Sequence, residues 1–429
     1  MHHLSFMDAP MGPADLVIAQ THQTTFHMKI AVITDAFPRV SELFIATQIV
    51  GLMERGHEVR IYASSRSDQS QHPIVKQHRL MEHATFADGC TGYGHLIRLL
   101  IRFWLRYPRT VVASLRHIIN QKRRGESINA VLYLWGLLLP RQHFDVVHVH
   151  FGYNAVPLAT LRQWGLLRES RLVVTFHGCD FMPRILPPDQ YDSLFLQADA
   201  LIHVTQFAMG EALKQGFPEA KMHLVPCGLN PELEQPLQRR PNANRPLHIA
   251  FVGRLIDLKK PITFIEIIAQ LQQQGVNCFA TLIGDGPLME ACQTRVAELG
   301  LDKVFNLTGA CTANRVQALL AESDVFLFPG GHDASGRAEN QGCVAQEAQA
   351  MGLPVVCTTV GGTHESVRQG HTGFILPEGD TAGMVERIVW LDSHREMLAL
   401  MSRNARRHAL QHYSNDTIIA KLEQIYTQH

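Results

Sequence analysis

Short apolar segments alternate with helix-like segments along most of the chain, and this alternation constrains the fold more than any other feature. In the first half, strand-like runs occupy residues 30–34, 57–62, 145–150 and 172–176, and a helical pattern covers 41–55. Strands that alternate with helices are typical of parallel sheets, because a parallel pair needs a crossover connection. The sequence therefore predicts an α/β fold whose ligands bind where the strands end.

Chain length and one proline-rich interruption together predict two domains. A chain of 429 residues is long enough to form two hydrophobic cores, and residues 236–246 carry three prolines with few apolar side chains. We interpret this segment as a linker between an N-terminal domain at 28–235 and a C-terminal domain that begins at residue 247. The polar, histidine-rich residues 1–27 are expected to be a disordered leader.

The composition disfavours several classes of function. Lys plus Arg equals Asp plus Glu at 39 each, so the net charge gives no reason to expect nucleic-acid binding. The eight cysteines form no CxxC pair and the 24 histidines show no HExxH-like spacing, so no metal site is predicted. Scattered cysteines in apolar surroundings indicate a reducing compartment. Because apolar runs are interrupted by Arg or Lys and no signal peptide is evident, we expect a cytoplasmic protein.

A strand, a loop and a helix start follow one another between residues 324 and 351. The apolar run 324–329 precedes Glu339, and the helical pattern after Gly342 contains Glu347, eight positions beyond the first glutamate. A helix start offers unpaired N–H groups that suit phosphate, and carboxylates accept hydrogen bonds from hydroxyls. These elements together indicate a nucleotide-sugar site. The alternative is two ordinary solvated glutamates, since this spacing also arises by chance.

A second phosphate-type element lies upstream in the same half. The apolar run 248–252 ends in Gly253-Arg254, and Lys259 follows just before a helix that starts near Pro261. Arginine offers a planar fork to phosphate oxygens and lysine a mobile point charge, so the pair can neutralise a diphosphate. The alternative is two surface cations after a strand. Glycine at the strand exit and proline at the helix start favour the ligand-binding interpretation.

Several motifs, taken in order, resemble the donor half of the retaining glycosyltransferases of family 4. They are Gly253-Arg254 with Lys259, residues 283–287, the Glu339 and Glu347 pair, and residues 361–365. In the N-terminal half, residues 37–45 and 175–180 resemble the exopolysaccharide branch, including colanic-acid-type enzymes. The resemblance covers roughly residues 28–425 and implies the GT-B fold, with two Rossmann-like domains facing across a cleft. The family often has Gly-Phe-Gly after the first glutamate, whereas this chain has Asn340-Gln341-Gly342.

The resemblance also implies a reaction and the roles of individual residues. It implies transfer of a sugar from a nucleotide diphosphate donor to a lipid-linked saccharide, with retention at the anomeric carbon and without a metal or other cofactor. Arg254 and Lys259, with backbone amides near Gly342, would stabilise charge on the departing diphosphate. Glu347 would hold the ribose, and Glu339 would hold hydroxyls of the donor sugar.

Other parts of the chain acquire roles by the same resemblance. The substrate-binding site is expected to be lined by Asn340, Gln341 and Cys343. The donor domain is expected to span residues 247–405. After it, a helix within residues 406–429 is expected to cross back to the first domain. The residues themselves reveal no paired nucleophile and acid of the kind found in retaining hydrolases. Front-face attack, in which the leaving phosphate helps to remove the acceptor proton, therefore comes from the resemblance alone.

One loop of the N-terminal half is a candidate for the opposite wall of the cleft. His177 follows the strand at 172–176, and Asp180 lies three positions further on, where it can orient the ring, contact substrate or cap a helix. By resemblance this loop faces the donor sugar, so His177 is predicted to be a site residue. A histidine after a strand is also a common structural cap. His148 and His150 are interpreted as cleft-wall or structural residues.

Residues 95–124 combine arginines with large apolar side chains at helical spacing. Arg98, Arg102 and Arg106 recur every four residues and lie near Trp104. Basic helices with aromatic side chains lie in membrane interfaces, so this segment is a candidate for contact with the inner face of the plasma membrane. The alternative is an ordinary helix packed on the sheet with its arginines in solvent.

Two other functions remain open at this point. A sugar-nucleotide epimerase can share the GT-B architecture, but it requires acidic and basic groups for elimination chemistry. A degenerate, inactive glycosyltransferase can also act as a membrane scaffold. The intact set of Arg254, Lys259, Glu339 and Glu347 argues against such decay.

Overall fold

The structure is a computed structural model that describes residues 27–67, 72–86, 112, 143–163, 165–178, 180–181, 190–235 and 245–428. The predicted leader up to residue 26, the basic region 95–124 apart from residue 112, and linker residues 236–244 lie outside these ranges.

The N-terminal domain is built on a parallel sheet of seven described strands. They are β1 (Lys29–Phe37), β2 (Glu58–Arg66), β3 (Ala84–Phe86), β4 (Val146–His150), β5 (Arg171–Phe176), β6 (Ala200–His203) and β7 (Met222–Leu224). Their spatial order is β3-β2-β1-β4-β5-β6-β7. The described helices of this domain are α1 (Leu43–Glu54), α2 (Pro73–Gln77), α3 (Gly152–Gln163), α4 (Asp192–Gln197), α5 (Gln206–Lys214) and α6 (Pro231–Glu234).

The C-terminal domain repeats this architecture with six parallel strands. They are β8 (Leu247–Val252), β9 (Cys278–Ile283), β10 (Phe305–Leu307), β11 (Val325–Phe328), β12 (Val355–Thr358) and β13 (Gly373–Leu376), in the order β10-β9-β8-β11-β12-β13. Its helices are α7 (Pro261–Gln273), α8 (Met289–Glu298), α9 (Ala313–Glu322), α10 (Cys343–Ala350), α11 (Thr381–Ser393) and α12 (Arg395–Tyr413). The predicted α/β fold with two parallel sheets is confirmed.

Burial explains why these segments form strands in the sheet interior. Every residue of β4 and of β8 is buried, as expected for strands covered by helices on both faces. Fully buried rings of Phe251, Phe264 and Phe326 fill the core between the second sheet and its helices. Burying each such ring contributes roughly 1.5–3 kcal/mol relative to leaving it exposed.

Each sheet contains one point where the strand order reverses. In the first sheet β1 lies between β2 and β4, and in the second sheet β8 lies between β9 and β11. Connections leave these two neighbouring strands toward opposite faces, which opens a crevice at their carboxyl ends. Residues that follow β4, β8 and β11 therefore line the natural ligand site of each domain.

The last helix returns to the N-terminal domain. Helix α12 ends at Tyr413, and α13 (Asn415–Thr427) packs its apolar side chains into the core beneath β1 and α1. Glu423 of α13 pairs with Arg55 at 2.9 Å, and the Tyr426 hydroxyl lies 2.7 Å from His148 Nδ1. The chain thus joins its two domains a second time, through a helix buried in the first.

Candidate active site

The predicted lysine and glutamate of the donor half contact each other. Lys259, in the turn after β8, places its Nζ 2.7 Å from Glu339 Oε2, and the two side chains are only 15% and 20% exposed. The same ammonium lies 5.3 Å from the centroid of the Phe328 ring at the end of β11. Partial burial weakens solvent screening of this pair compared with a surface ion pair. The structure therefore brings together two residues that are 80 positions apart in the sequence.

Arg254 lies on the same side of the sheet, in the loop that follows β8. The Leu255 amide donates to the Asp285 carbonyl at 2.9 Å, which ties this loop to the one after β9. The Arg254 side chain itself is exposed. A rigidly held backbone with an accessible guanidinium suits an incoming anion better than a buried cation does, because among the described residues it has no ion pair that must be broken first.

Helix α10 begins at the predicted phosphate-binding turn. Gly342 precedes it with φ of 63°, and no side chain of the described residues caps this helix end. A Cβ atom at Gly342 would overlap the Thr363 side chain, so only glycine fits both this conformation and this contact. The first amides of α10, at Cys343 and Val344, therefore form a partly positive end at the edge of the cleft.

Residues 361–365 pack against the backbone of the loop that carries Glu339. The Gly362 amide donates to the Glu339 carbonyl at 3.0 Å. Gly361 has φ of 68°, and a Cβ atom there would overlap that same carbonyl oxygen. This close approach of two backbones fixes the position of the Glu339 main chain, and its side chain can then reach Lys259.

Glu347 is the half-buried carboxylate of α10. It is the fifth residue of the helix, one turn beyond the amides at its start. Burial raises the pKa of Glu347 to about 7. The ionised form is disfavoured because it loses water, and hydroxyl groups of a ligand can replace that water as hydrogen-bond donors.

His177 lies in the N-terminal domain, at the end of β5. Its ring lies between Phe44 and Phe151, with centroid distances of 4.8 and 4.7 Å, and its Nε2 lies 3.0 Å from His150 Nδ1. Burial, with a smaller contribution from His148, lowers the pKa of His177 to about 3. The imidazole is therefore neutral at physiological pH and offers one donor and one acceptor, without a positive charge.

Asp180 stands behind His177 and organises its loop. One carboxylate oxygen accepts hydrogen bonds from the amides of His177 at 2.9 Å and Gly178 at 2.8 Å, and the other accepts from the Gly152 amide at 2.9 Å. The side chain has no exposed surface, and burial raises the pKa of Asp180 to about 6 despite these bonds. Direct contact with a substrate would require this loop to open. The geometry instead favours the orienting role that the sequence also suggested.

His148 and His150 are fully buried beside this loop. Their rings stack at 4.6 Å, and His148 Nε2 lies 2.7 Å from the Thr175 hydroxyl. With Tyr426 they connect the returning helix α13 to His177 through a row of polar rings inside the first domain. The sequence identified the histidines as wall or structural residues, but it gave no signal for the contact with Tyr426.

Asn340 and Glu365 reach across the cleft to the same helix start in the N-terminal domain. The Thr205 hydroxyl donates to Asn340 Oδ1 at 2.8 Å. The carboxylate of Glu365 accepts from the amides of Gln206 at 2.8 Å and Phe207 at 2.7 Å, which are the first two residues of α5. A carboxylate at a helix start is stabilised by the helix dipole, so Glu365 acts as a cap supplied by the other domain.

Gln341 makes a third contact between the domains. Its Oε1 accepts from the Cys227 amide at 2.9 Å, and its Nε2 donates to the Cys227 carbonyl at 3.2 Å. Cys227 lies in the loop after β7, and its Sγ lies 4.0 Å from His177 Nδ1. The substrate contact predicted for Gln341 stays a prediction, because in this structure its amide group is occupied by the first domain.

The contribution of the Glu365 cap can be measured. Glu365→Gln keeps the shape but removes the charge, so we expect the free energy of unfolding to fall by roughly 1.5–3 kcal/mol, the value of a charged hydrogen bond. Denaturant unfolding monitored by circular dichroism measures this change, and Glu386→Gln, an exposed position on α11, is the matched control. Equal stabilities of the two variants would contradict a capping role.

Comparison with known proteins agrees with this geometry. Residues 41–233 match the family described as Glycosyltransferase Family 4, and residues 234–408 match Glycosyl transferases group 1. The Escherichia coli K12 protein WcaL, named for a glycosyltransferase of colanic acid biosynthesis, is 28% identical over 91% of this chain and 97% of its own. AmsK, the amylovoran biosynthesis glycosyltransferase of Erwinia amylovora, is 28% identical over 83% of this chain and 89% of its own.

Solved structures extend the similarity to the whole fold. HepE from Anabaena in complex with UDP superposes with a TM-score of 0.67 at 15% identity, covering 92% of this chain and 98% of that one. A glycosyltransferase from Rickettsia africae gives 0.69 at 16% identity, with 93% and 98% coverage. The fold is therefore that of the GT-B glycosyltransferases. The chain belongs to the glycosyltransferases that join a family 4 domain to a group 1 domain, as the sequence motifs predicted.

Within the parts of the chain that the structure describes, none of the helices combines the length and apolar character that a membrane crossing requires. In those same parts, no three His, Cys, Asp or Glu side chains are grouped so that they could hold a metal ion.

Proposed function

We propose that this glycosyltransferase moves a sugar from a nucleoside diphosphate donor to a growing saccharide, with retention at the anomeric carbon. The proposal rests on the arrangement of side chains and helix amides at the point where the strand order of the second sheet reverses. An exposed arginine, the Lys259–Glu339 pair and the uncapped start of α10 follow the adjacent strands β8 and β11. Cations and helix amides suit a diphosphate, and a carboxylate beside them suits sugar hydroxyls.

The mechanism uses these groups where charge develops. As the bond between the anomeric carbon and the phosphate oxygen breaks, negative charge grows on the diphosphate, and Arg254, Lys259 and the α10 amides stabilise it. Glu339 accepts hydrogen bonds from the donor sugar and holds Lys259 in position until the donor arrives. No metal ion has a part in this scheme.

Retention requires the acceptor to attack from the face that the diphosphate leaves. The acceptor oxygen forms its bond to the anomeric carbon on that face, and its proton passes to an oxygen of the departing phosphate. A neutral His177 on the opposite wall can hydrogen-bond to the sugar without adding a positive charge near the developing oxocarbenium ion. Its low pKa supports this role over that of a general acid.

The acceptor is proposed from the relatives. WcaL and AmsK are named for the synthesis of colanic acid and amylovoran, so we assign this chain to exopolysaccharide synthesis and its acceptor to a growing saccharide. That this saccharide is lipid-linked follows from the resemblance of the sequence motifs and is part of the proposal.

The proposal is tested in two stages. A thermal-shift screen against UDP-, GDP- and ADP-sugars should identify one donor class, since a ligand at 100 times its dissociation constant stabilises by about 2.7 kcal/mol. NMR of the product formed with that donor and a lipid-linked acceptor should show the anomeric configuration of the donor. An inverted product would contradict retention. Conversion of the donor without acceptor would indicate an epimerase, and no donor binding at all would indicate an inactive scaffold.

The raised pKa of Glu347 predicts how donor binding depends on pH. Its carboxylate is the form that accepts hydrogen bonds from a ribose diol, and it predominates above about pH 7. Donor binding should therefore strengthen as pH rises from 6 to 8, with release of a proton. Isothermal titration in two buffers of different ionisation enthalpy measures both effects. Glu347→Gln should bind more weakly and lose this dependence, and an unchanged pH profile in that variant would exclude Glu347.

The basic region 95–124 leads to a separate prediction about membranes. If it contacts anionic lipid, the purified protein should co-sediment with acidic vesicles and be released by salt, because each surface cation contributes about 1 kcal/mol and is screened within a Debye length. Charge reversal at Arg98, Arg102 and Arg106 should abolish sedimentation. Reversal at exposed Arg315, Arg403 and Arg407 is the control. Sedimentation that is independent of lipid charge would contradict the contact.

A further inference from the structure

Two histidine rings from neighbouring strands meet beside the candidate active site. His150 ends β4, and His177 follows β5, which pairs with β4 in the first sheet. His150 Nδ1 lies 3.0 Å from His177 Nε2, and the two rings are inclined by only 21° with their centroids 5.3 Å apart. The facing nitrogens therefore meet edge to edge, which is the geometry of a direct hydrogen bond between the rings.

The contact with His177 explains why a polar ring is buried at position 150. The His150 side chain is fully buried, and its Nε2 atom has no partner among the described residues. Burial of a polar ring is unfavourable unless its nitrogens find partners. If only packing mattered, a phenylalanine would therefore suit this position better. The hydrogen bond to His177 is what a histidine adds.

This hydrogen bond also fixes the orientation of the His177 ring. Asp180 accepts from the His177 amide at 2.9 Å, and Phe44 and Phe151 lie against the ring with centroid distances of 4.8 and 4.7 Å. Rotation of the ring by half a turn about its bond to Cβ would still exchange each nitrogen for a carbon at almost the same shape. His150 selects the orientation with Nε2 inward, so Nδ1 is the nitrogen left for a ligand.

The same contact determines which His177 nitrogen carries the proton. Burial, with smaller contributions from His148 and His177, lowers the pKa of His150 well below its usual value, so both rings of the pair are neutral and each carries one proton. If His177 donated through Nε2, the His150 proton would lie on its buried Nε2, without an acceptor among the described residues. Buried N–H groups without an acceptor are rarer in folded proteins than buried acceptors without a donor. His150 Nδ1 therefore donates, and the His177 proton lies on Nδ1.

The Nδ1 atom of His177 has a weak partner that a ligand can replace. Among the described residues, its hydrogen-bond partner is the Cys227 sulfur, at a distance of 4.0 Å. Sulfur accepts hydrogen bonds only weakly, so a sugar oxygen that enters the cleft can take its place. The His177 side chain is half-buried, which leaves part of the ring accessible.

We propose that His150 is a positioning residue that holds His177 as its Nδ1–H tautomer, so that His177 donates a hydrogen bond to an oxygen of the donor sugar. The inference rests on the proposed function, because the role requires a sugar in the cleft. It also restricts the class of donor. The sugar needs a hydroxyl, carbonyl or carboxylate oxygen where it faces His177, and a sugar with only C–H bonds there would lose this contact.

The tautomer is measured by NMR on the full chain with isotope-labelled histidine rings. Long-range proton–nitrogen correlation distinguishes a protonated ring nitrogen from a bare one, and the His177 signals are those that disappear in His177→Asn. We expect the proton on Nδ1 in the wild-type chain. The donor found by the thermal-shift screen should shift this signal, whereas the matching nucleoside diphosphate, which lacks the sugar, should leave it nearly unchanged. A proton on Nε2, or equal shifts with and without the sugar, would overturn the proposal.

Three variants separate positioning from packing. His150→Phe keeps a ring but removes both nitrogens, so turnover should fall roughly 10- to 100-fold, the loss that follows removal of the outer hydrogen-bond partner of a metal-bound histidine. His150→Asn places an amide N–H near the position of Nδ1 and should recover most of the lost turnover together with the Nδ1–H signal. His203→Phe is the matched control, because His203 ends the neighbouring strand β6, is fully buried and has no partner for either ring nitrogen among the described residues. It should leave turnover and the His177 tautomer unchanged.

The outcomes separate this proposal from the proposed function. Turnover of His150→Phe close to the wild-type value, or no recovery in a folded His150→Asn, would overturn the positioning role and leave the proposed function standing. A wild-type chain that transfers no sugar would overturn the proposed function and the role toward the sugar with it, while the spectrum still decides whether His150 sets the tautomer. Because that spectrum is recorded on the wild-type chain, a variant that fails to fold does not decide the result.

Discussion

Arg254→Ala is expected to lower turnover on the order of 100- to 1,000-fold, with a much smaller change in donor affinity. The side chain is exposed at the end of β8 and meets charge that grows only as the donor bond breaks. An interaction of that kind lowers the barrier without tightening the ground-state complex. Steady-state kinetics gives turnover, and isothermal titration with the donor gives the affinity.

Two further variants make this expectation specific to the guanidinium. Arg254→Lys keeps the charge but loses the planar fork, so it should retain more activity than the alanine variant and less than wild type. Arg315→Ala removes an exposed arginine from α9 of the same domain and should leave turnover unchanged. If Arg254→Ala folds normally and stays within a few-fold of wild type, the proposed stabilisation of the leaving group is wrong.

The strands whose side chains are buried or nearly all buried could be predicted well from the sequence. The predicted runs 145–150 and 172–176 correspond to β4 and β5 with shifts of one residue at the start. The run 30–34 was too short, because β1 continues to Phe37, where it pairs with Arg66 of β2. A strand end that depends on its partner carries little signal in its own residues. The three-residue strand β3 likewise has no local pattern that separates it from a loop.

The site residues also differ in how well the sequence predicts them: those that depend on local backbone geometry could be predicted, and those that depend on distant partners could not. Glycine-rich turns and carboxylates near a helix start indicated the donor residues, because their function depends on local backbone geometry. The residues that form contacts between the two domains carry no such local pattern in the sequence. Glu365 was noted as part of a motif, but its partners at Gln206 and Phe207 lie about 160 positions away and belong to another domain.

The Lys259–Glu339 pair allows two interpretations of Glu339 that kinetics can separate. In the first, the carboxylate holds donor sugar hydroxyls during the reaction. In the second, it only keeps Lys259 in place, since the two side chains are 2.7 Å apart without a donor present. Under the second interpretation, Glu339→Gln would change the free energy of unfolding and donor affinity but would leave turnover nearly unchanged. Under the first, turnover itself falls.

We expect the first result. Glu339→Gln removes a charged hydrogen-bond acceptor worth about 1.5–3 kcal/mol, which corresponds to a roughly 10- to 150-fold loss of turnover. Lys259→Ala should be milder, and the double variant should be less impaired than the two single effects combined, because each residue partly acts through the other. Glu347→Gln is the matched control within the site and should mainly raise the donor KM. Identical kinetic profiles for the two glutamine variants would show that the assignment of Glu339 to the sugar and Glu347 to the ribose is wrong.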